Sequence, residues 1–177
     1  TITDNTLLTI QTPDGSVSNI RFSAGELAST VLAACAGLAL RDTKIPQQLF
    51  QTKFNNIHLP ARMEVLQKRP EVILDGAHNP DKMAFSVKQL ALMPLTGKCI
   101  AVTGLKKGKD APAILTHMLP NIDQLIVTAF GPKGLWQPED PGELAKLAAL
   151  QRPGLTINII HDPLAAIRTA LQIAQPD

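Results

Sequence analysis

The stretch Glu71-Val-Ile-Leu-Asp-Gly-Ala-His-Asn-Pro80 decides the fold of this chain. A short apolar run precedes Asp75 and Gly76, and a helical pattern follows Pro80. This order is typical of a buried strand that ends in a polar turn at the N-terminus of a helix. Because ligands of open α/β sheets bind at such strand ends, the turn is the best candidate site in the sequence.

The strand–helix alternation continues from this stretch toward the C-terminus. It predicts an α/β fold, with a Rossmann-like, mostly parallel sheet flanked by helices. The predicted strands are Met63–Gln67, Glu71–Leu74, Lys98–Thr103, Gln124–Thr128 and Thr156–Ile160. The predicted helices are Asp81–Met93, Ala111–Leu119, Gly142–Leu150 and Pro163–Ala174.

The N-terminal part has a different pattern. Thr6–Ile10 and Ser16–Phe22 alternate as the two strands of a hairpin, and Ala24–Leu40 and Ile45–Phe54 are predicted helices. We therefore expect two pieces: a small hairpin-plus-helices segment at residues 1–58 and an α/β domain at residues 59–177. Another strand is expected after the last helix, so the α/β domain is expected to lack its last strand.

Composition excludes several classes of function. With 45% hydrophobic and 18% charged residues, the 177-residue chain can build a core, and its net charge of +2 and 3% aromatic residues argue against a nucleic-acid partner. The longest apolar run, Val31–Leu40, is too short to cross a bilayer. Cys35 and Cys99 lack metal-ligand or redox spacing, which indicates reduced thiols and a cytoplasmic protein.

Asp75, His78 and Asn79 have two compatible interpretations. In a nucleotide site, Asp75 would accept hydrogen bonds from ribose hydroxyls, and His78 and Asn79 would donate toward phosphate oxygens. Alternatively, Asp75 forms a turn and Asn79 is the N-cap of a helix that begins at Pro80.

Two basic segments are further candidates. Arg62, close to Glu64, offers a planar fork suited to phosphate or adenine, although a solvated arginine is the simpler interpretation. The loop Gly104-Leu-Lys-Lys-Gly-Lys-Asp110 follows a predicted strand and could attract an anionic substrate, or be an exposed charged loop. It is not a Walker A loop, and the four dispersed histidines predict no metal site.

Two segments together resemble a known family. Leu59-Pro-Ala-Arg-Met-Glu64, followed after a short spacer by Asp75-Gly-Ala-His-Asn-Pro80, resembles the start of the C-terminal domain of folylpolyglutamate and dihydrofolate synthases, in the Mur ligase superfamily. Ala61 stands where the family has Gly. Gly108-Lys109-Asp110 resembles the family's D-K-D loop, with Gly108 in place of the first Asp.

The resemblance implies a fragment of an ATP-dependent amide ligase that adds L-glutamate to a folate or dihydropteroate through an acyl phosphate. It implies that Arg62, Asp75 and Asn79 bind ATP, that His78 is catalytic, and that Lys109 and Asp110 bind glutamate. The phosphate-binding loop and the Mg²⁺ ligands are expected in other domains, so the fragment alone is expected to be inactive. The alternatives are a muramyl-peptide type of ligase and a non-catalytic α/β binding module.

Overall fold

The structure is a computed structural model that describes residues 6–11, 17–22, 60–95, 97–131 and 136–174. Its contacts divide the chain into two units, Thr1–Pro60 and Ala61–Asp177. In the first unit, strands β1 (Thr6–Gln11) and β2 (Val17–Phe22) pair antiparallel, which confirms the predicted hairpin. The helices predicted at Ala24–Leu40 and Ile45–Phe54 lie outside the described residues.

The second unit alternates strands and helices, as predicted. Its elements, in chain order, are β3 (Glu64–Lys68), β4 (Glu71–Leu74), α1 (Pro80–Ala91), β5 (Ile100–Thr103), α2 (Ala111–Met118), β6 (Gln124–Val127), α3 (Pro141–Gln151), β7 (Thr156–Ile159) and α4 (Pro163–Ile173). One turn of 3₁₀-helix, Leu119–Asn121, connects α2 to β6. The observed bounds differ from the predicted ones by one or two residues at most termini.

A three-stranded parallel sheet in the order β5-β6-β7 forms the centre of this unit. Its middle strand is a continuous apolar run, and Leu125, Ile126 and Val127 are completely buried. Such runs are typical of parallel strands that are covered on both faces. Ile114 and Leu115 of α2 and Leu144 of α3 complete the core. The predicted fold class, a mostly parallel sheet flanked by helices, is confirmed.

The four helices described in this unit, α1 to α4, all begin with a side-chain N-cap and a nearby proline. Asn79, Asp110, Asp140 and Asp162 each accept a hydrogen bond from a first-turn amide, and each helix has Pro at its first or second position. The side-chain oxygen satisfies an amide that has no partner within the helix, and Pro has no such amide at all. The N-cap side chain and the proline therefore fix the residue at which each helix starts.

Strand β4 differs from the prediction in its pairing. The sequence pattern places it in one series with the parallel strands, but its ladder in the structure is antiparallel, to β3, with Glu64 opposite Leu74. Only Arg69 and Pro70, joined by a cis peptide bond, separate the two strands. Antiparallel pairing follows because so short a connection cannot make the crossover that parallel strands need.

None of the helices in the described part of the chain is both long enough and apolar enough to cross a membrane.

Candidate functional site

The carboxylate of Asp75, one residue beyond β4, makes three hydrogen bonds. Its Oδ2 accepts from the Met63 amide at 2.8 Å, and its Oδ1 accepts from the Ala77 amide and from the Ser86 hydroxyl, both at 2.8 Å. A carboxylate has about four acceptor positions, so one position on Oδ2 remains for a ligand hydroxyl. Asp75 is therefore a structural link and still has capacity for the ligand contact expected of it.

The loop that precedes β3 has an unusual backbone. Ala61 and Met63 have φ angles of +54° and +45°, in the left-handed region that side chains with a Cβ rarely adopt. Three hydrogen bonds hold this conformation: the Ala61 amide donates to Glu64 Oε2, the Gly76 amide donates to the Ala61 carbonyl, and Met63 donates to Asp75. A Gly at position 61 would fit this backbone without strain.

Arg62 lies directly over Gly76. Its Nη1 donates to the Ala61 carbonyl at 2.9 Å, and a Cβ built on Gly76 would lie 2.6 Å from the same Nη1. A side chain at position 76 would displace the guanidinium. The observed position of Arg62 therefore depends on the absence of a side chain at Gly76, and the two residues bring the loop before β3 next to the end of β4.

His78 is exposed, and its orientation is set by one backbone contact. Its Nδ1 lies 2.8 Å from the Gly76 carbonyl oxygen. Since a carbonyl only accepts, Nδ1 carries a proton, and in the neutral ring Nε2 is the unprotonated nitrogen. Nε2 can accept a hydrogen bond in that state, and it can donate toward a phosphate oxygen when the ring is doubly protonated.

Asn79 acts as the N-cap of α1. Its Oδ1 accepts from the Lys82 amide at 2.9 Å, and its backbone is extended. The side-chain oxygen is thus engaged, and the amide NH₂ group is the part of Asn79 with the chemistry to contact a ligand.

The lysine loop after β5 is fixed by backbone contacts with a later segment. The Lys107 amide donates to the Gln137 carbonyl at 2.9 Å, and the Glu139 amide donates to the Leu105 carbonyl at 2.8 Å. The ammonium group of Lys106 lies 4.9 Å from the ring centroid of Trp136, within cation–π range. The loop is therefore held in one conformation although it is rich in charge.

Lys109 and Asp110 end this loop. Gly108 has φ +82°, a conformation that Gly adopts at no steric cost. It makes the turn after which Lys109 and Asp110 lead into α2. Asp110 Oδ1 accepts from the Ala113 amide at 3.1 Å and caps that helix. Asp110 thus has a structural role that the sequence analysis did not assign to it, while Lys109 is half-buried at the end of the loop.

The structure places the predicted residues in two groups. Arg62, Asp75, His78 and Asn79 gather around Gly76, at the end of β4. Lys109 and Asp110 lie on the next loop, after β5. Asp75 and Gly104, the first residue of the lysine loop, line the same groove between β4 and β5.

Ser86 is a site residue that sequence reasoning missed. It lies on α1, and its hydroxyl contacts both Asp75 Oδ1 at 2.8 Å and the Lys82 carbonyl at 3.0 Å. A serine inside a helix has no local signal for such a role. Its position one turn of helix after Lys82, on the side of α1 that faces the strand end, becomes informative once α1 is placed.

Among the residues that the structure describes, no group of three or more His, Cys, Asp or Glu side chains is arranged to hold a metal ion.

Comparison with known proteins gives the family. The family described as "Mur ligase, glutamate ligase domain" matches residues 61–177. The chain belongs to this family. The matched range coincides with the second unit of the structure, so the α/β unit is the glutamate ligase domain.

Curated relatives of this glutamate ligase domain are named dihydrofolate synthase/folylpolyglutamate synthase. The protein from Buchnera aphidicola subsp. Acyrthosiphon pisum is 31% identical over 94 residues, which are 53% of this chain and 23% of the relative. The Escherichia coli K12 protein is 27% identical over 108 residues, 60% of this chain and 25% of the relative. The chain thus spans about a quarter of the length of these relatives.

Solved structures show the same fold. The Mycobacterium tuberculosis folylpolyglutamate synthase complexed with ADP and AMPPCP matches with a TM-score of 0.79 and 24% identity, over 94% of this chain and 38% of that one. The bifunctional folylpolyglutamate/dihydrofolate synthase from Yersinia pestis matches with a TM-score of 0.67 and 25% identity, over 84% of this chain and 34% of that one.

Proposed function

We propose that this chain is a fragment of an ATP-dependent ligase that adds L-glutamate to a folate through an acyl phosphate. In this proposal the chain supplies part of the ATP site and part of the glutamate site. The observation that carries the proposal is the assembly of Arg62, Asp75 and His78 around Gly76, at a strand end of a glutamate ligase domain.

The chemistry of this assembly suits a nucleotide. The open acceptor position on Asp75 Oδ2 can take a ribose hydroxyl, and the planar guanidinium of Arg62 can contact phosphate or stack on adenine. His78 Nε2 and the Asn79 amide group can contact phosphate oxygens or the reacting carboxylate. The role of Arg62 requires that Gly76 leave space for its guanidinium.

The second group supports the glutamate half of the proposal. The ammonium of Lys109 would attract a carboxylate of L-glutamate, and Asp110, by capping α2, would fix the position of Lys109. Folate or dihydropteroate and the Mg²⁺ that accompanies ATP would bind mainly to domains outside this chain. Since the reaction consumes cellular ATP, we place the whole protein in the cytoplasm.

Binding of ATP to the chain itself is the first test. Millimolar ATP should raise the thermal unfolding midpoint, because a ligand at ten times its Kd adds about 1.4 kcal/mol to the free energy of unfolding. Arg62→Ala should reduce the shift strongly. Lys68→Ala removes an exposed cation from the same hairpin and should leave it unchanged. A chain that ATP does not stabilise, or equal shifts in both variants, would contradict the nucleotide role of the assembly.

The reaction is tested on the longer protein. We expect formation of ADP that depends on both L-glutamate and a folate, and not on a uridine-diphosphate muramyl peptide. The muramyl peptide as the better substrate would reassign the ligase, and ATP binding without turnover of either substrate would favour the non-catalytic module.

The glutamate role of Lys109 has its own readout in that assay. Lys109→Ala should raise the KM for L-glutamate by about tenfold or more, since one charge-assisted contact contributes about 1.5–3 kcal/mol, and should leave the KM for ATP nearly unchanged. Lys107→Ala, on the same loop but exposed, is the matched control. Equal effects of the two substitutions would remove Lys109 from the proposed glutamate site.

A further inference from the structure

Asp75 and Gly76 are a chemically reactive pair as well as a turn. In an Asp-Gly sequence the backbone nitrogen of Gly attacks the side-chain carboxyl carbon of Asp, because Gly has no side chain to shield the nitrogen and leaves the backbone free to bring the two atoms together. The chain contains two such pairs, Asp14-Gly15 and Asp75-Gly76. The second pair lies at the centre of the candidate site, so its covalent structure decides the geometry of that site.

The reaction is an isomerisation of the main chain. The Gly76 nitrogen forms a bond to Cγ of Asp75 and loses its proton, a C–O bond of the protonated carboxyl group breaks, and one molecule of water leaves. Water then opens the resulting succinimide ring. Opening at the side-chain carbonyl restores aspartate, whereas opening at the main-chain carbonyl gives isoaspartate, in which the chain runs through the former side chain. One water is released and one is taken up, so no other reactant is needed.

The folded structure restrains the attacking nitrogen. The Gly76 amide donates to the Ala61 carbonyl at 2.8 Å, and Arg62 Nη1 donates to the same carbonyl at 2.9 Å. The nitrogen must leave this hydrogen bond before it can bond to Cγ of Asp75. The loop before β3 therefore protects the Gly76 nitrogen from reaction for as long as the loop stays in place.

The carboxyl group that would be attacked is restrained as well. It accepts from the Met63 amide, the Ala77 amide and the Ser86 hydroxyl, each at 2.8 Å. These three bonds come from the loop before β3, from the turn and from α1, and they fix the carboxylate in one orientation. Attack moves Cγ toward the Gly76 nitrogen, so the bonds to the loop and to α1 must break first.

Packing explains why the reactive residue Gly stands at position 76. A Cβ at this position would lie 2.6 Å from Arg62 Nη1 and 3.2 Å from the Ala61 carbonyl oxygen. The loop before β3 thus approaches closely only because residue 76 has no side chain. Ala61 and Met63 of this loop have positive φ angles, a strain that lowers the free energy needed to open the loop relative to unfolding of the whole domain.

We infer that Asp75-Gly76 is a latent site of isoaspartate formation, which residues 61–63 close in the folded domain and expose by local movement, without unfolding of the parallel sheet. Isoaspartate adds one carbon to the main chain and moves the carboxylate away from Met63 and Ser86. The loop, the turn and α1 then lose the side chain that connects them. The inference depends on the hydrogen bonds of the turn and not on the reaction proposed above.

Labelling with heavy oxygen measures this reaction directly. Each ring opening adds one oxygen atom from solvent, so the chain is incubated in water labelled with heavy oxygen, digested in ordinary water and analysed by mass spectrometry. In urea, the peptides that contain Asp75-Gly76 and Asp14-Gly15 should gain label and isoaspartate at similar rates. In the folded 177-residue chain, the Asp75-Gly76 peptide should gain label about 100-fold or more slowly than in urea. Gly76→Ala should slow the reaction in urea, because its Cβ shields the nitrogen.

Three variants separate local opening from global unfolding. Ser86→Ala removes one bond to the carboxylate and should speed labelling of the folded chain about tenfold, with no change in urea. Thr116→Ala, the matched control on α2, also removes a hydroxyl that donates to a carbonyl one turn earlier, and it should have no effect. Ala148→Gly lowers the stability of the whole domain from within α3, and it should speed labelling much less than Ser86→Ala does.

The results that would overturn the inference are distinct. Absence of label at Asp75-Gly76 in urea, or an unchanged rate in Gly76→Ala, would exclude the reaction, and equal rates in the folded chain and in urea would exclude protection by the loop. Equal rates in Ser86→Ala and Thr116→Ala, or an equal gain in Ala148→Gly, would exclude local opening. ATP stabilisation of the chain is measured separately, so failure here leaves the proposed function standing.

Discussion

The carboxylate of Asp75 holds the backbone amide of Met63, which lies twelve residues earlier in the chain, at 2.8 Å. The same carboxylate binds the Ala77 amide and the Ser86 hydroxyl. One side chain thus connects the loop that carries Arg62, the turn that carries His78, and α1. A substitution at Asp75 is expected to affect folding as well as ligand binding, and the two effects must be measured separately.

Asp75→Asn should destabilise the domain in spite of its nearly identical shape. Asn replaces one carboxylate oxygen with an NH₂ group, which would face either the Met63 amide or the Ala77 amide and Ser86 hydroxyl. A donor facing a donor leaves partly buried groups unsatisfied, so we expect a loss of about 1–3 kcal/mol in urea unfolding. Asp81→Asn, on the exposed face of the first turn of α1, is the control. A stability of Asp75→Asn equal to that of the control would show that the three bonds contribute little.

Gly76→Ala should affect nucleotide binding more than stability. The new Cβ would lie 2.6 Å from Arg62 Nη1, a flexible side-chain end that can move, and 3.2 Å from the Ala61 carbonyl oxygen. We expect a cost of about 1 kcal/mol or less in unfolding but a clearly smaller thermal shift with ATP, because the guanidinium is displaced. At Gly131 an added Cβ meets nothing within 4 Å, so Gly131→Ala is the matched control. A full ATP shift in Gly76→Ala would show that the observed position of Arg62 is not needed.

The sequence predicted the elements well because their signals are local. Apolar runs and the Asn79-Pro80 pair mark strand and helix boundaries directly, and the Asp75-Gly76 pair marks the turn between β4 and α1. The pairing of β4 was not predictable from the same pattern. Its apolar run resembles those of the parallel strands, and only the brevity of the Arg69-Pro70 connection indicates a hairpin.

The details of the site were less accessible to sequence reasoning. The roles of Ser86 and Met63 depend on where α1 and the Arg62 loop lie in space, and no local pattern encodes that. The capping role of Asp110 was missed because the resemblance assigned Asp110 to glutamate binding. The functional assignments of Arg62, Asp75, His78, Asn79 and Lys109 stay predictions until the binding and kinetic tests are made.

Ala61→Gly should stabilise the domain. Ala61 has a φ of +54°, which costs a residue with a Cβ about 1–2 kcal/mol relative to Gly. Part of this gain is offset because Gly is more flexible in the unfolded chain, so we expect a net increase of about 0.5–1 kcal/mol in urea unfolding. Ala84→Gly, within α1, should instead lose about 1 kcal/mol. Losses of the same size in both variants would contradict the left-handed conformation of Ala61.

Cys99 should make stability depend on pH in the alkaline range. Burial, and secondarily the nearby Asp123 carboxylate, raise the pKa of its thiol above the ordinary value of 9.0. The Cys99 amide donates to Asp123 Oδ2 at 2.8 Å, which keeps that charge close. Because the folded state holds the thiol proton more tightly, its contribution to stability is complete below pH 9.0 and is lost as the pH rises from 9.0 through the folded-state pKa.

The measurement for Cys99 is the free energy of unfolding in urea, as a function of pH, for the parent chain and for Cys99→Ala. The two proteins share every other titratable group, so the difference between the two curves isolates Cys99. We expect a constant difference from neutral pH to about pH 8, since the thiol is protonated in both states there, and a decrease in the advantage of the parent chain above pH 9.0. A difference that stays constant above pH 9.0, or that grows, would show that the thiol is at least as free to ionise in the folded domain as in the unfolded chain.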